Sequence, residues 1–421
     1  MADLLGYKCP CCGAKIEFDS TSQQMKCPYC DSEFDVASLQ SYDDVLNQQP
    51  AQGESAEWDT SAGADWEPGE TEGMRVYKCQ SCGGEVIADG STAASQCPYC
   101  DAPVIMMGQL AGDLKPDFVI PFHLDKEAAK QSLIKHMEGK PLLPKVFKSQ
   151  NHIDEIKGVY VPIWLYEADV NAQIEFKATK VRRWSDSKYN YTETSYYSCP
   201  RCGQVGFEHV PVDGSTKMDS TIMESLEPYD FSKAVSFQSA YLSGYLADKY
   251  DIDADTSCVR ATDRIHQGTR DKFRETVRGY NTVDIAQENI NLKKGETHYA
   301  LYPVWLLNTS WNDKKFVFAM NGQSGKFVGD LPADKLKAVI FFLIGAVAGG
   351  VLGYLIKEDM MIALIAALVV GGIVLGILWS QLKSVHKEDS ATNYVKPESF
   401  QLEFQQDRYL YKKTERTKRS N

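Results

Sequence analysis

AVIFFLIGAVAGGVLGYLI at Ala338–Ile356 and MMIALIAALVVGGIVLGILW at Met360–Trp379, parted only by Lys357-Glu358-Asp359, decide how the rest of the chain is arranged. The two runs hold 19 and 20 residues without a charge. At about 1.5 Å of rise per residue each helix would span roughly 30 Å, the hydrocarbon thickness of a bilayer. One helix through both would overshoot the membrane and bury the charges between them, so a two-span transmembrane hairpin at 338–379 is expected. Neither span holds an Asp, Glu, Lys, Arg or His, which leaves a proton relay or ion pathway nothing to run on. Gly345, Gly349 and Gly353 recur every four residues in the first span, and Gly372 and Gly376 do so in the second. Small residues at that spacing let helix backbones approach closely, within the hairpin or against a second copy in a homo-oligomer.

The flanks orient the hairpin. Lys335 and Lys337 precede it and Lys383 and Lys387 follow it, while the tip offers one lysine beside two acids. The positive-inside rule then puts both termini in the cytoplasm, at the inner membrane. No apolar signal-peptide core near Met1 opposes this. The expected order is a zinc ribbon at 1–35, an acidic disordered linker at 36–73 and a second ribbon at 74–108. A cytosolic α+β domain at 115–331, the hairpin, and a basic tail at 380–421 follow.

The ribbons rest on cysteine spacing. Cys9-x-x-Cys12 and Cys27-x-x-Cys30 recur 70 residues later as Cys79-x-x-Cys82 and Cys97-x-x-Cys100, and YKCPCCGAKI aligns with YKCQSCGGEV. Two CxxC pairs at this separation suit a four-thiolate Zn²⁺ site, each pair forming a turn. Gly13 and Gly83 stand where such a turn commonly needs a positive φ. Disulfides are disfavoured in a reducing cytosol, and Cys11 reads as a bystander thiol. A closed site of four thiolates leaves no open position for substrate, so both sites read as structural. Cys199-Pro-Arg-Cys202 supplies half of a third site, with His209, Cys258 or a second copy of the chain as candidate completions.

Between the ribbons, residues 31–73 hold twelve acids and no Lys or Arg, leaving the remaining 45 acids balanced against 45 bases. That one-sided charge reads as disorder, with Trp58 and Trp66 as candidate docking anchors for a partner or for the chain's own domain. In the large domain, Asp125 can cap a helix through Met137, with Ala128, Ala129, Leu133, Ile134 and Met137 on one face and Gly139 and Pro141 ending it. A second helix is expected over Asp255–Val277, with Val259, Ile265, Phe273 and Val277 as its stripe. Val170 to Ala178 alternates apolar with polar residues as a half-buried strand. Ser185–Lys188 reads as a turn, and Tyr189–Tyr197 and Val205–Val212 as strands with the Cys199–Cys202 pair turning between them. VPIWLY at Val161–Tyr166 matches YPVWLL at Tyr302–Leu307. The fold expected is therefore α+β with two related helix-plus-antiparallel-sheet halves, Trp164 and Trp305 anchoring their cores.

No catalytic motif stands out. GxSxG, HExxH and GxGxxG are missing from the sequence, and Gly322-Gln-Ser-Gly325-Lys326 lacks the spacing of Walker A, reading as a hairpin turn. His123, His152 and His266 are isolated. An enzyme is thus not expected. Nucleic acid is disfavoured as a partner too, because the ribbons are nearly neutral and the linker is acidic. The six bases of Arg408–Asn421 lie past the hairpin, where anionic headgroups are their nearest polyanion.

The two ribbons, PDFVIPFHLDKEAAK at Pro116–Lys130, IDEIKGVYVPIWLY at Ile153–Tyr166, PVDGSTKM at Pro211–Met218 and AYLSGYLADKYD at Ala240–Asp251 resemble the bacterial, Firmicute-type "TFIIB-type zinc ribbon-containing" membrane protein family. LLPKVF at Leu142–Phe147 and the run from LYPVWLLNTSW to Pro332 carry the likeness onward. That family usually lacks cysteines where Cys199 and Cys202 stand. Members are sometimes labelled primosomal or replication-restart helicases, although no motor motif exists in this sequence. Relatives beside phage-shock-type and flotillin-like SPFH proteins imply a membrane-bound adaptor. The alternative is a replication- or transcription-associated zinc-ribbon factor that binds nucleic acid.

Overall fold

The structure, a computed structural model, describes residues 16–19, 24–28, 33–34, 58–89, 96–109, 113–144, 156–293, 295–311, 314–357 and 359–419. Strands β1 (Glu17–Asp19), β2 (Gln24–Lys26) and β3 (Glu33–Phe34) belong to the first cysteine module. After β4 (Trp58–Asp59), strands β5 (Arg75–Cys79), β6 (Glu85–Ala88) and β7 (Val104–Gln109) build the second. The large domain opens with β8 (Phe118–Val119) and α1 (Lys126–Met137), then the long strands β9 (Lys157–Ser185) and β10 (Tyr189–Asp213). Next come α2 (Ser220–Leu226), β11 (Val235–Ser236), β12 (Leu246–Asp248) and α3 (Ala254–Arg274). Strands β13 (Thr282–Leu292), β14 (Gly295–Trp311), β15 (Lys314–Asn321) and β16 (Phe327–Val328) lead to the helical hairpin, α4 (Lys335–Lys357) and α5 (Met360–Ser380). Strands β17 (Gln401–Gln405) and β18 (Arg408–Lys418) end the described chain.

The helices start where their caps stand. Asp125 accepts from the Ala128 amide at 2.8 Å and Asp253 from the Thr256 amide at 2.7 Å, each closing the first turn of its helix. Ala129, Leu133 and Met137 are buried as expected, whereas Ile134 is 44% exposed. On α3, Ile265 and Phe273 are buried, as is Val277 just past its end, but Val259 is 66% exposed. The buried stripe runs through Ala261, Ile265, Thr269 and Phe273. Val259, two residues from Ala261, lies about 200° round the helix from it.

The duplication is visible in the sheet. Val161 of β9 pairs with Tyr302 of β14, its own counterpart in the repeat, so the matching motifs meet antiparallel about a local two-fold. The short strands obey the same symmetry. Phe118 and Val119 pair in parallel with Ala300 and Leu301, and Leu246 and Ala247 pair in parallel with Val159 and Tyr160. Each half thus lends its short strand to the other half's long one. The tryptophans follow suit. Trp164 Nε1 donates to the Ile252 carbonyl at 2.8 Å, beside the cap of α3, and Trp305 Nε1 to the Leu124 carbonyl at 3.0 Å, beside the cap of α1. Gly214 and Gly322 complete the correspondence, donating at 2.9 Å to the carbonyls of Pro162 and Pro303 respectively. The Asn321 side chain accepts from the amides of Gln323 and Ser324, which makes the phosphate-loop-like run a turn.

Three expectations are corrected. First, β10 is continuous from Tyr189 to Asp213, so Cys199-Pro-Arg-Cys202 lies within a strand and not at a turn. Second, the acidic stretch is ordered from Trp58 onward and is not a disordered linker there. Trp58 and Asp59 pair with Gly295 and Glu296, Trp58 packs edge-on against Tyr166 at 5.1 Å, and Trp66 against Phe237 at 5.8 Å. The apolar anchors outweigh the local charge. Third, the basic tail is not separate from the domain over its described residues, 380–419. β17 and β18 pair antiparallel with β10, and β18 also meets β3. The chain reaches that strand by crossing α3, the Ala391 amide donating to the Arg264 carbonyl at 3.1 Å and the Lys396 amide to the Gly206 carbonyl at 2.9 Å.

Both ends of the hairpin are bolted to that domain. Lys337 Nζ donates to the Leu143 carbonyl at 2.7 Å, and the Leu331 amide to the Leu382 carbonyl at 2.9 Å. Asp330 pairs with Lys383 at 2.5 Å and accepts from the amides of Ser384 and Val385. Within the hairpin, a Cβ on Gly349 would stand 2.6 Å from the Ala366 carbonyl, and one on Gly353 2.7 Å from Ala366 Cβ. On α5 the close contact is at Gly371, against Phe342, while Gly372 and Gly376 have nothing within 4 Å. The second helix therefore packs through a different glycine from the pair its spacing singled out.

Candidate metal centre

The second module brings its four cysteines together. Cys79 ends β5, and its knuckle closes by a 3.0 Å bond from the Gly83 amide to the Cys79 carbonyl, with Gly83 at φ +72°. The second knuckle repeats this, the Asp101 amide reaching the Cys97 carbonyl at 3.1 Å with Asp101 at φ +58°. Glycine bears the left-handed conformation without cost in the first turn, and aspartate tolerates it in the second. The pairs face each other, with Cys79 Sγ 3.5 Å from Cys100 Sγ and Cys82 Sγ 3.7 Å from Cys97 Sγ. All four sulfurs lie within 4.8 Å of one another. A tetrahedral ion with metal–sulfur bonds of about 2.3 Å sets its sulfurs about 3.8 Å apart, so this cradle can hold one metal ion. Among the described residues it is the one such group.

Burial raises the Cys79 thiol, but the amides of Cys82 and Ser81 outweigh it and bring the group down to about 7. Burial prevails at Cys97 and Cys82, whose thiols are pushed up. A bound cation would supply the charge that holds all four as thiolates.

The module is fused to the large domain. β12 pairs with β6 on one side and β9 on the other. Lys157, the first residue of β9, donates to the Cys97 carbonyl at 3.3 Å and pairs with Asp101 at 2.8 Å. Asn308 of β14 donates to the Pro98 carbonyl. Lys249 joins Glu85 at 3.3 Å. These contacts were not legible in the spacing of the cysteines, because their partners lie 56 to 210 residues away.

Of the other candidate ligands, Cys27 is buried, and Cys9, Cys12 and Cys30 lie outside the described residues. Cys199 and Cys202 are not brought together as a chelate. Positions three apart on a strand point to opposite faces, and Cys199 is buried while Cys202 is half-exposed. Burial pushes the Cys199 thiol up to about 11, next to Tyr280 and Asp407. His209 instead meets Glu167 at 3.1 Å and stacks on Phe231, and Cys258 donates to the Asp255 carbonyl of its own helix.

The chain is 30% identical over 347 residues to the uncharacterized protein YdjG of Bacillus subtilis (strain 168), covering 82% of this chain and 95% of YdjG. It belongs to the YdjG family. No family model matches the chain, and no solved structure does. YdjG brings no activity with its name, so the functional reading rests on the residues themselves.

Proposed function

We propose that the chain is a membrane-anchored, cytosol-facing zinc-ribbon adaptor, a scaffold that holds protein partners at the inner face of the membrane. Helices α4 and α5 are long and apolar enough to cross a bilayer. The lysines that flank them orient both termini to the cytoplasm, with membrane lipids as the hairpin's surroundings. The observation that carries the reading is the clamp at the hairpin's base. Asp330, Lys337 and Lys383 tie both helix ends to a domain that is itself continuous with the cysteine module. A ribbon that docks a partner is thereby held in fixed register with the membrane.

Zn²⁺ is the ion the four thiolates suit, with Cys9, Cys12, Cys27 and Cys30 forming a second structural site by the repeat. Phage-shock-type or SPFH-type membrane-stress proteins are the partner class, by analogy with the resembling family. The test is affinity capture of the full-length protein from membranes, wild type beside Cys82→Ser. The adaptor reading expects a membrane-stress protein that is retained by the wild type and lost from the variant. Equal retention of all partners by both would overturn the ribbon's role.

A further inference from the structure

β9 and β10 run on well past the body of the domain as an arm, and β18 lies along β10 to make it three-stranded. Beneath α3 one face of this sheet is core: Phe176, Ala178 and Cys199 are buried on it. Beyond Tyr280 the same face is open to solvent, and its character changes. Register puts Trp184, Tyr191 and Arg416 abreast in one row, and Lys180, Ser195 and Lys412 abreast in another. Arg182 and Glu193 stand between them, and Glu193 takes Lys412 at 3.4 Å. Tyr197 and Tyr409 close the row nearest the body, and Tyr189 with Lys418 the row at the tip. Register also brings Glu33 opposite Lys412 at the β18 edge.

The cations are laid over the rings. Arg182 sits 5.5 Å from the Trp184 ring, Arg416 5.4 Å from Tyr189, and Lys180 5.3 Å from Tyr197. Trp184 and Tyr191 stack nearly parallel, with centroids 5.4 Å apart. Such a surface offers two things at once: flat rings at strand spacing, and a cation over Trp184, Tyr189 and Tyr197. A polyanion alone needs only the cations, and an apolar partner only the rings. A strand of nucleic acid with unpaired bases uses both, stacking its bases and neutralising its phosphates.

The position of the arm argues against the headgroups of the chain's own membrane. The hairpin is clamped at the end of the sheet where β9 begins, near Lys157 and Leu306. Lys180 is roughly 75 Å further along that strand at about 3.3 Å per residue. The basic segment after the hairpin was expected to sit at the bilayer. The fold carries it away. We propose that this face of the arm binds single-stranded nucleic acid without base-specific readout. The inference goes beyond the adaptor reading and does not depend on it.

The test is fluorescence anisotropy of a labelled oligo(dT) with the full-length protein in lipid nanodiscs, titrated at two salt concentrations. Arg182→Gln combined with Arg416→Gln removes two cations from this face. Arg183→Gln combined with Lys413→Gln removes the same charge from the opposite face. The expected result is binding at low micromolar concentration that weakens as salt rises. The first pair should weaken it tenfold or more and flatten the salt slope by about 1.4, while the second changes it less than threefold. Trp184→Ala should also weaken it several-fold, with Trp184→Phe restoring most of the loss. Lack of binding, equal losses from the two charge pairs, or polyphosphate competing as well per charge as oligo(dT) with Trp184→Ala silent would each overturn the proposal.

Discussion

Single residues account for the metal centre and for the least comfortable spot beside it. Asp248 is 1% exposed, and burial pushes its carboxyl up to about 7 near Tyr99 and Ser215. Its unfolded value is about 3.9. The folded state therefore holds the proton more tightly, and the group withdraws stability as pH rises from about 4 to about 7. Asp248→Asn should raise the thermal midpoint by a few degrees at pH 8 and by much less at pH 4.5. A midpoint difference that does not change with pH would contradict this. Two zinc ions per chain are expected, falling to one in Cys97→Ser, by elemental analysis of protein purified without added metal. Iron in place of zinc, or an unchanged count in the variant, would contradict the assignment. The cysteines were legible because ligand chemistry fixes their spacing. Asp248 was not, since an aspartate gains its meaning only from what buries it.

At the scale of elements, the hairpin, α1 and α3 could be read directly, because caps and apolar periodicity are local properties. The continuity of β10 could not. Gly203 looks like a turn residue beside Pro200 and Cys202, but it serves a close approach. A Cβ there would stand 2.2 Å from the Gln401 carbonyl, on a strand about two hundred residues away. Likewise the glycines of the hairpin differ in what they face. Gly349→Leu should force α4 from α5, lowering the thermal midpoint in detergent by several degrees, because Ala366 and Val370 leave no room. Gly376→Leu, facing open space, should leave it within a degree or two. Equal effects would mean that the helices pack through another face, or that α5 contacts a second copy of the chain.

For the whole molecule, the apolar helical hairpin is an insertion near the end of one folded body. Tyr394, beyond the hairpin, donates to Glu227 at 2.8 Å, and Glu227 is held by both terminal nitrogens of Arg264 at 2.9 and 2.6 Å. Removing residues past the hairpin would leave that buried ion pair without its third member, besides stripping two strands from β10. The boundaries expected from composition miss this, because a basic or acidic stretch looks autonomous until its partner strand is known. In the proposed arrangement this body stands in the cytosol, bolted to a hairpin whose tip lies outside. Labelling of intact cells by a membrane-impermeant thiol reagent tests it most directly, with one cysteine placed at Glu358 and another at Thr417. The account predicts that the Glu358 site is labelled in intact cells and the Thr417 site only after lysis. Labelling of Thr417 but not Glu358 in intact cells would contradict it.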